Sequence, residues 1–169
     1  MSSFTHKDYN RLDYRLLQNS SVNLYWSAKI LSEDLSWLKA TGYVVHTFDC
    51  ETWTDEKVIH DSFAKQLEFP RYYGANLDAL NDCLGDLAIP DDSGLCIVFK
   101  RFDVVTARIP KASHNILDIL ECNSRKHLLF GRRLIVLAQS NDPKLSFAPI
   151  GAIAVSWNPK EFLNKSRGL

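Results

Sequence analysis

The chain has 169 residues, 46% hydrophobic and 24% charged, with 20 basic side chains balancing 20 acidic ones. That length suits one domain with a real core, and neutrality argues against a general nucleic-acid binder, which is normally basic. No stretch approaches the roughly 18 apolar residues of a membrane span, and the polar start MSSFTHKDYNRLDYRLLQ does not read as a secretory signal. Cys50, Cys83, Cys96 and Cys122 form no CxxC pair, so they read as thiols in a cytoplasmic protein.

Residues 1–19 are polar and without clear period, a loose arm or short helix. SVNLYWS (21–27) has the β-branched and aromatic content of a strand. LSEDLSWLKATG follows as a short helix, with Ser32 as cap, Glu33 and Asp34 in the first turn, Leu35 and Leu38 on one face and Gly42 as the stop. YVVHTFD (43–49) reads as a buried strand. The next helix takes Thr54 as its cap and carries Val58, Phe63 and Leu67 on its inner face before Pro70. Beyond the helix in FPRYYGANLDALNDCLGDL come a strand at 94–102, a helix with Ile116, Leu117, Ile119 and Leu120 inward, and a strand in RRLIVLAQS. After the connection NDPKLSFAP, IGAIAVSW (150–157) reads as a last strand. Alternating strands and helices, with strands apolar on both faces, predict an α/β fold: a mainly parallel sheet of about four to five strands with helices packed on it.

Enzyme signatures are missing: there is no GxGxxG after a strand, no P-loop, no GxSxG and no HExxH. His46 and Cys50 form an HxxxC pair, but two ligands do not make a zinc site, and His46 reads as a structural residue. Cys83 falls on the inner half of its helix and reads as a buried thiol. No catalytic constellation and no metal or cofactor site emerges.

The helix in FPRYYGANLDALNDCLGDL is different. At about 100° per residue, Leu77, Leu80, Leu84 and Leu87 share one face while Asp78, Asp82 and Asp86 share the other. Asn76 suits the N-cap, and Asp78 gains from the positive end of the helix dipole. Asp82 sits late, where negative charge is disfavoured, and like charges one turn apart repel. From Glu68 to Asp92 six carboxylates stand against the single Arg71. Two readings fit: a solvated polar face, or a surface for a basic partner, with Tyr72, Tyr73 and the close-approach residue Gly74 beside it.

FPRYYGANLDALNDCL also resembles the signature of the barstar family of ribonuclease inhibitors: Pro, Tyr-Tyr-Gly, Asn, Leu-Asp-Ala-Leu, one variable position, Asp-Cys-Leu. The similarity covers residues 43–140, with the same order of elements. It leaves 1–42 as an N-terminal strand–helix extension packed on the core and 141–169 as a C-terminal strand and tail. The resemblance implies a barstar-like fold and a non-enzymatic immunity protein that occludes the active site of a cognate bacterial ribonuclease toxin. Neither direct nucleic-acid contact nor a membrane is involved in that role.

In this resemblance Tyr72, Gly74, Asn76, Asp78 and Asp82 match family positions that contact the nuclease, with Asp82 standing in for a phosphate. Tyr73, Asn81 and Asp86 complete the expected surface. Departures are clear: the family pattern has a partner-touching tryptophan at Asn81 and a second aromatic at Leu87, and a contacting Glu has no counterpart at Ala88 or Ile89. A further acidic contact falls near Glu121 and Cys122. The alternative is a regulatory protein-binding module on the same scaffold with a partner that is not a nuclease.

Overall fold

The segments LCIVFK and LIVLAQ are apolar at nearly every position, and such strands need cover on both faces. The computed structural model, which describes residues 4–162 and 164–168, meets that demand with one parallel sheet between two helical layers. Its strands are β1 (Val22–Tyr25), β2 (Val44–Asp49), β3 (Leu95–Lys100), β4 (Leu134–Gln139) and β5 (Ser156–Trp157), in the spatial order β2-β3-β4-β1-β5. Every pairing among them is parallel, with Val44 opposite Leu95, Leu95 opposite Leu134 and Val22 opposite Val136. The helices are α1 (Leu12–Leu17), α2 (Ala28–Ala40), α3 (Glu56–Gln66), α4 (Leu77–Gly85), α5 (Phe102–Arg108), α6 (Pro110–Leu129) and α7 (Pro159–Phe162). The α/β class and the parallel sheet expected from the sequence are both present.

Strand alternation divides the core in two. Leu95, Ile97, Phe99, Leu134, Val136 and Ala138 pack with Ile59 and Phe63 of α3, Leu80 and Leu84 of α4, Phe102 of α5 and Ile116 and Leu120 of α6. Cys96, Val98, Ile135 and Leu137 point the other way, onto Leu12 and Leu16 of α1 and Leu31 and Leu38 of α2. The second face of β3 and β4 is therefore covered by helices from the first 40 residues, and β1 lies hydrogen-bonded between β4 and β5. Met1–Ser3, Leu163 and Leu169 of the expected terminal segments lie outside the described residues. Among the described residues no helix is long and apolar enough to cross a membrane.

Several expectations shift. β2, read as buried, is an edge strand with Phe48 buried and Val44 42% exposed, because apolar content alone does not tell an edge from a centre. α2 begins earlier than expected: Ser27, not Ser32, caps it, accepting from the Ile30 N–H at 3.3 Å. Asp34 consequently sits mid-helix and buried rather than in the first turn. Asp55, not Thr54, caps α3, accepting from the Val58 N–H at 3.0 Å. α5 was not anticipated; Arg101, at φ 55°, turns the chain sharply out of β3, and Pro110 opens α6 as a separate helix.

The last strand is much shorter than 150–157. Gly151 (φ 50°) and Ala152 (φ 63°) are both left-handed, so Ile150 and Ile153 fold back and bond to each other in antiparallel fashion. Two consecutive positive φ angles make a tight turn of the type I′ kind, and an alternating apolar pattern does not betray it. Only Ser156–Trp157 remains to pair with β1.

Buried carboxylates tie the terminal segments down. Asp13 accepts from Arg11 Nε and Nη2 at 3.0 and 2.8 Å and from the Tyr43 hydroxyl at 2.9 Å, with Arg133 Nη1 3.6 Å away. Asp34 accepts from the Tyr25 hydroxyl at 2.8 Å and pairs with Lys160. Glu161 accepts from the N–H groups of Trp26 and Ser27 at 3.0 and 2.8 Å. Burial raises the Asp13 carboxyl, but the hydrogen bonds from Arg11 and Tyr43 and the charges of Arg11 and Arg133 outweigh it and hold the group below its ordinary value. Its stabilisation is thus complete above the unfolded value near 4 and lost as pH falls through the lower folded value. Asp13→Asn is expected to lower unfolding free energy by about 2 kcal/mol or more at pH 7. The gap from wild type should narrow only as pH falls below the ordinary carboxyl value and through the lower folded one, as measured by urea unfolding across the acid range.

Candidate functional site

The segment between α3 and α4 is built from local rules. α3 ends with Glu68 in the left-handed position (φ 53°), and the Phe69 N–H reaches back to the Ala64 carbonyl at 2.9 Å, a Schellman closure. Pro70 prevents the helix from resuming. The Tyr73 N–H then bonds the Pro70 carbonyl at 2.9 Å, closing a turn that sets the two tyrosines apart. Tyr73 is half-buried: its ring lies 4.9 Å from that of Phe69, and its hydroxyl meets Nδ1 of the buried His60 at 2.5 Å. Burial, reinforced by the neighbouring Cys83 and Asp61, pushes the Tyr73 phenol up to about 12, and burial lowers His60. Tyr72 stands in solvent, 87% exposed.

Gly74 and Ala75 lead into Asn76, whose Oδ1 accepts from the Ala79 N–H at 2.9 Å and caps α4 as expected. Leu80 and Leu84 are fully buried, while Asp78, Asp82 and Asp86 are all exposed. The helix ends at Gly85, so Asp86 occupies the C-cap, its N–H bonded to the Asp82 carbonyl at 3.1 Å. Leu77 is only half-buried.

α4 is fastened from behind by α6 as well as by its leucines. His127, buried, donates from Nε2 to the Leu84 carbonyl at 2.8 Å; a carbonyl only accepts, so that nitrogen carries the proton. Asn123, also buried, donates from Nδ2 to Asn81 Oδ1 at 3.0 Å. These two contacts set the register of α4 against α6 and hold the three carboxylates as a convex ridge.

Other candidates are placed differently. Cys83 is half-buried rather than buried, and burial together with Asp86 and Asp82 raises its thiol above the ordinary value, which disfavours a nucleophilic thiolate. Cys50 is fully buried, His46 is half-buried on the edge strand, and among the described residues no group of three His, Cys, Asp or Glu could hold a metal. Glu121 does not face outward: 2% exposed, it accepts from the Ser21 N–H at 2.7 Å, the Ser20 and Ser21 hydroxyls at 3.0 and 2.6 Å, and Arg125 Nε at 3.1 Å. Leu87 is buried too, and Asp91 pairs with Arg132 at 3.6 Å. His60, Asn123 and His127 were not singled out by sequence reasoning, since each acts across 13 to 43 residues of chain.

The site is a ridge rather than a pocket. A cavity of about 410 Å³ lies at the ends of β3 and β4, lined by Leu31, Ser32, Lys100, Arg101 and Gln139, with none of the α4 carboxylates in its walls. The space behind Leu77 and His60 holds only about 10 Å³. Exposed carboxylates on a rigid convex surface suit a cationic concavity on another macromolecule.

Comparison with known proteins bears on which macromolecule. A family model described as "Barstar (barnase inhibitor)" matches residues 43–139. The Bacillus subtilis (strain 168) protein named "Putative ribonuclease inhibitor YrdF" is 36% identical over 66 residues, covering 38% of this chain and 68% of that protein.

The two tyrosines should separate experimentally. Tyr73→Phe, which removes the hydroxyl facing His60, is expected to cost about 1 kcal/mol of stability. Tyr72→Ala should stay within about 0.5 kcal/mol of wild type, as surface changes usually do; urea unfolding of both variants checks the contrast.

Proposed function

The chain belongs to the barstar family, and from that premise we propose that it binds and occludes the active site of a ribonuclease toxin, acting as the immunity protein of the bacterial cell that makes it. Membership makes it a ribonuclease-inhibitor-like protein and not an enzyme. The observation that carries the finer reading is the ridge of Asp78, Asp82 and Asp86, exposed on a helix whose opposite face is locked to α6. A cleft that binds RNA phosphates is lined with cations, and carboxylates held at fixed spacing can take the phosphates' place without paying to order themselves. The Tyr-Tyr-Gly loop divides the labour: Tyr73 fixes the loop and Tyr72 offers one exposed aromatic just ahead of the acidic helix. Such an inhibitor acts in the cytoplasm, before its nuclease leaves the cell.

A regulatory role toward a partner that is not a nuclease is the second reading. It is favoured by the burial of Leu87 and by the asparagine at 81, positions where the family pattern carries aromatics that touch the partner.

Asp82→Ala should weaken binding to an inhibited nuclease by about 2 kcal/mol or more. Glu51→Ala removes a carboxylate that reaches Arg101 at 3.6 Å and lies outside the ridge, and it should leave binding near wild type. Near-equal losses in a ribonuclease inhibition titration would sink the site. Wild-type affinity should also fall as salt rises from about 0.05 to 0.5 M, because exposed charges are screened over that range.

A further inference from the structure

Asn81 flanks the acidic ridge, one residue before Asp82 in the chain, and its amide is oriented from behind. The buried Asn123 donates from Nδ2 to the Ile119 carbonyl at 3.0 Å, and since a carbonyl only accepts, this end of the amide must be the amino group. The same Nδ2 donates to Asn81 Oδ1 at 3.0 Å. Asn81 therefore gives its oxygen to the interior and keeps its amino group on the outer side, where Nδ2 lies 3.4 Å from Asp82 Oδ1. The arrangement has a cost. Among the described residues the buried Asn123 Oδ1 has no hydrogen-bond partner, and an unpaired buried oxygen destabilises a fold. Gly85 accommodates it: a Cβ there would stand 3.3 Å from that oxygen.

We propose that Asn81 is the hydrogen-bond donor of the interface, its outward amino group meeting a carbonyl or carboxylate oxygen of the nuclease that lies among the cations which Asp78 and Asp82 neutralise. This rests on the reading of α4 as the nuclease-facing element. A cleft that cuts RNA by general acid–base chemistry holds a proton acceptor as well as phosphate-binding cations. A ridge of carboxylates alone would set like charge against that acceptor, whereas an amino group beside the Asp82 carboxylate pairs a donor with it.

Asn81→Asp decides the matter because charge and hydrogen bonding predict opposite signs. The substitution keeps an oxygen for Asn123 Nδ2 to donate to and exchanges only the outward amino group for a second oxygen. Toward a cationic cleft, charge alone would tighten binding. The inhibition constants of wild type, Asn81→Asp, Asn81→Ala and Asp82→Ala would be measured against purified bacterial extracellular ribonucleases including barnase, with thermal unfolding of each variant as the folding control.

The expected result is a loss of about tenfold or more for Asn81→Asp, exceeding that for Asn81→Ala. Asn81→Asp binding as tightly as wild type or tighter, while Asp82→Ala loses inhibition, overturns the donor assignment and leaves the nuclease reading in place. Should Asn81→Asp fail to fold, undiminished inhibition by Asn81→Ala overturns it equally. A folded wild-type chain that inhibits none of the nucleases overturns both.

Discussion

A strand that is apolar on both faces is stable only when both faces are covered, and β3 and β4 impose that demand on the whole chain. Four helices from the middle of the sequence cover one face. The other face, made by Cys96, Val98, Ile135 and Leu137, would meet water if residues 43–139 stood alone. Helices α1 and α2 cover it, and β1 continues the sheet beyond β4. The N-terminal segment thus supplies a layer of the core of this chain rather than an ornament on it.

Covering that face places polar groups where water is scarce, and buried carboxylates resolve the difficulty by accepting several hydrogen bonds each. Asp13 joins α1 to the start of β2, Asp34 joins α2 to the tail, and Glu161 receives the backbone ahead of α2. Glu121 bonds α6 to Ser20 and Ser21 just before β1. Glu121 is thus a structural tie rather than part of an outward acidic surface, whereas the three aspartates of α4 stay exposed.

The opposite side of α6 carries the polar contacts that seat α4. Leucine burial alone would hold the helix but tolerate sliding, because apolar contacts are non-directional. The Asn123–Asn81 and His127–Leu84 bonds are directional and fix the register. The carboxylates thereby keep a set spacing along the helix.

Much of this was legible in the sequence: the alternation of strands and helices apart from α5, the burial of Leu80 and Leu84 of α4, its Asn76 cap and the exposed position of Asp78, Asp82 and Asp86 all follow from local periodicity and capping chemistry. The family signature lies in the same short segment, since its residues are contiguous. What sequence alone determined was whatever depends on neighbours within a few residues. Tertiary structure decided the rest: that β2 is an edge, that residues 150–155 turn back instead of extending, that Glu121 is buried, and that Asn81 faces Asn123. Each of these depends on partners tens of residues away, or on backbone angles that hydrophobic pattern does not encode, and only the packed sheet brings those groups within bonding distance.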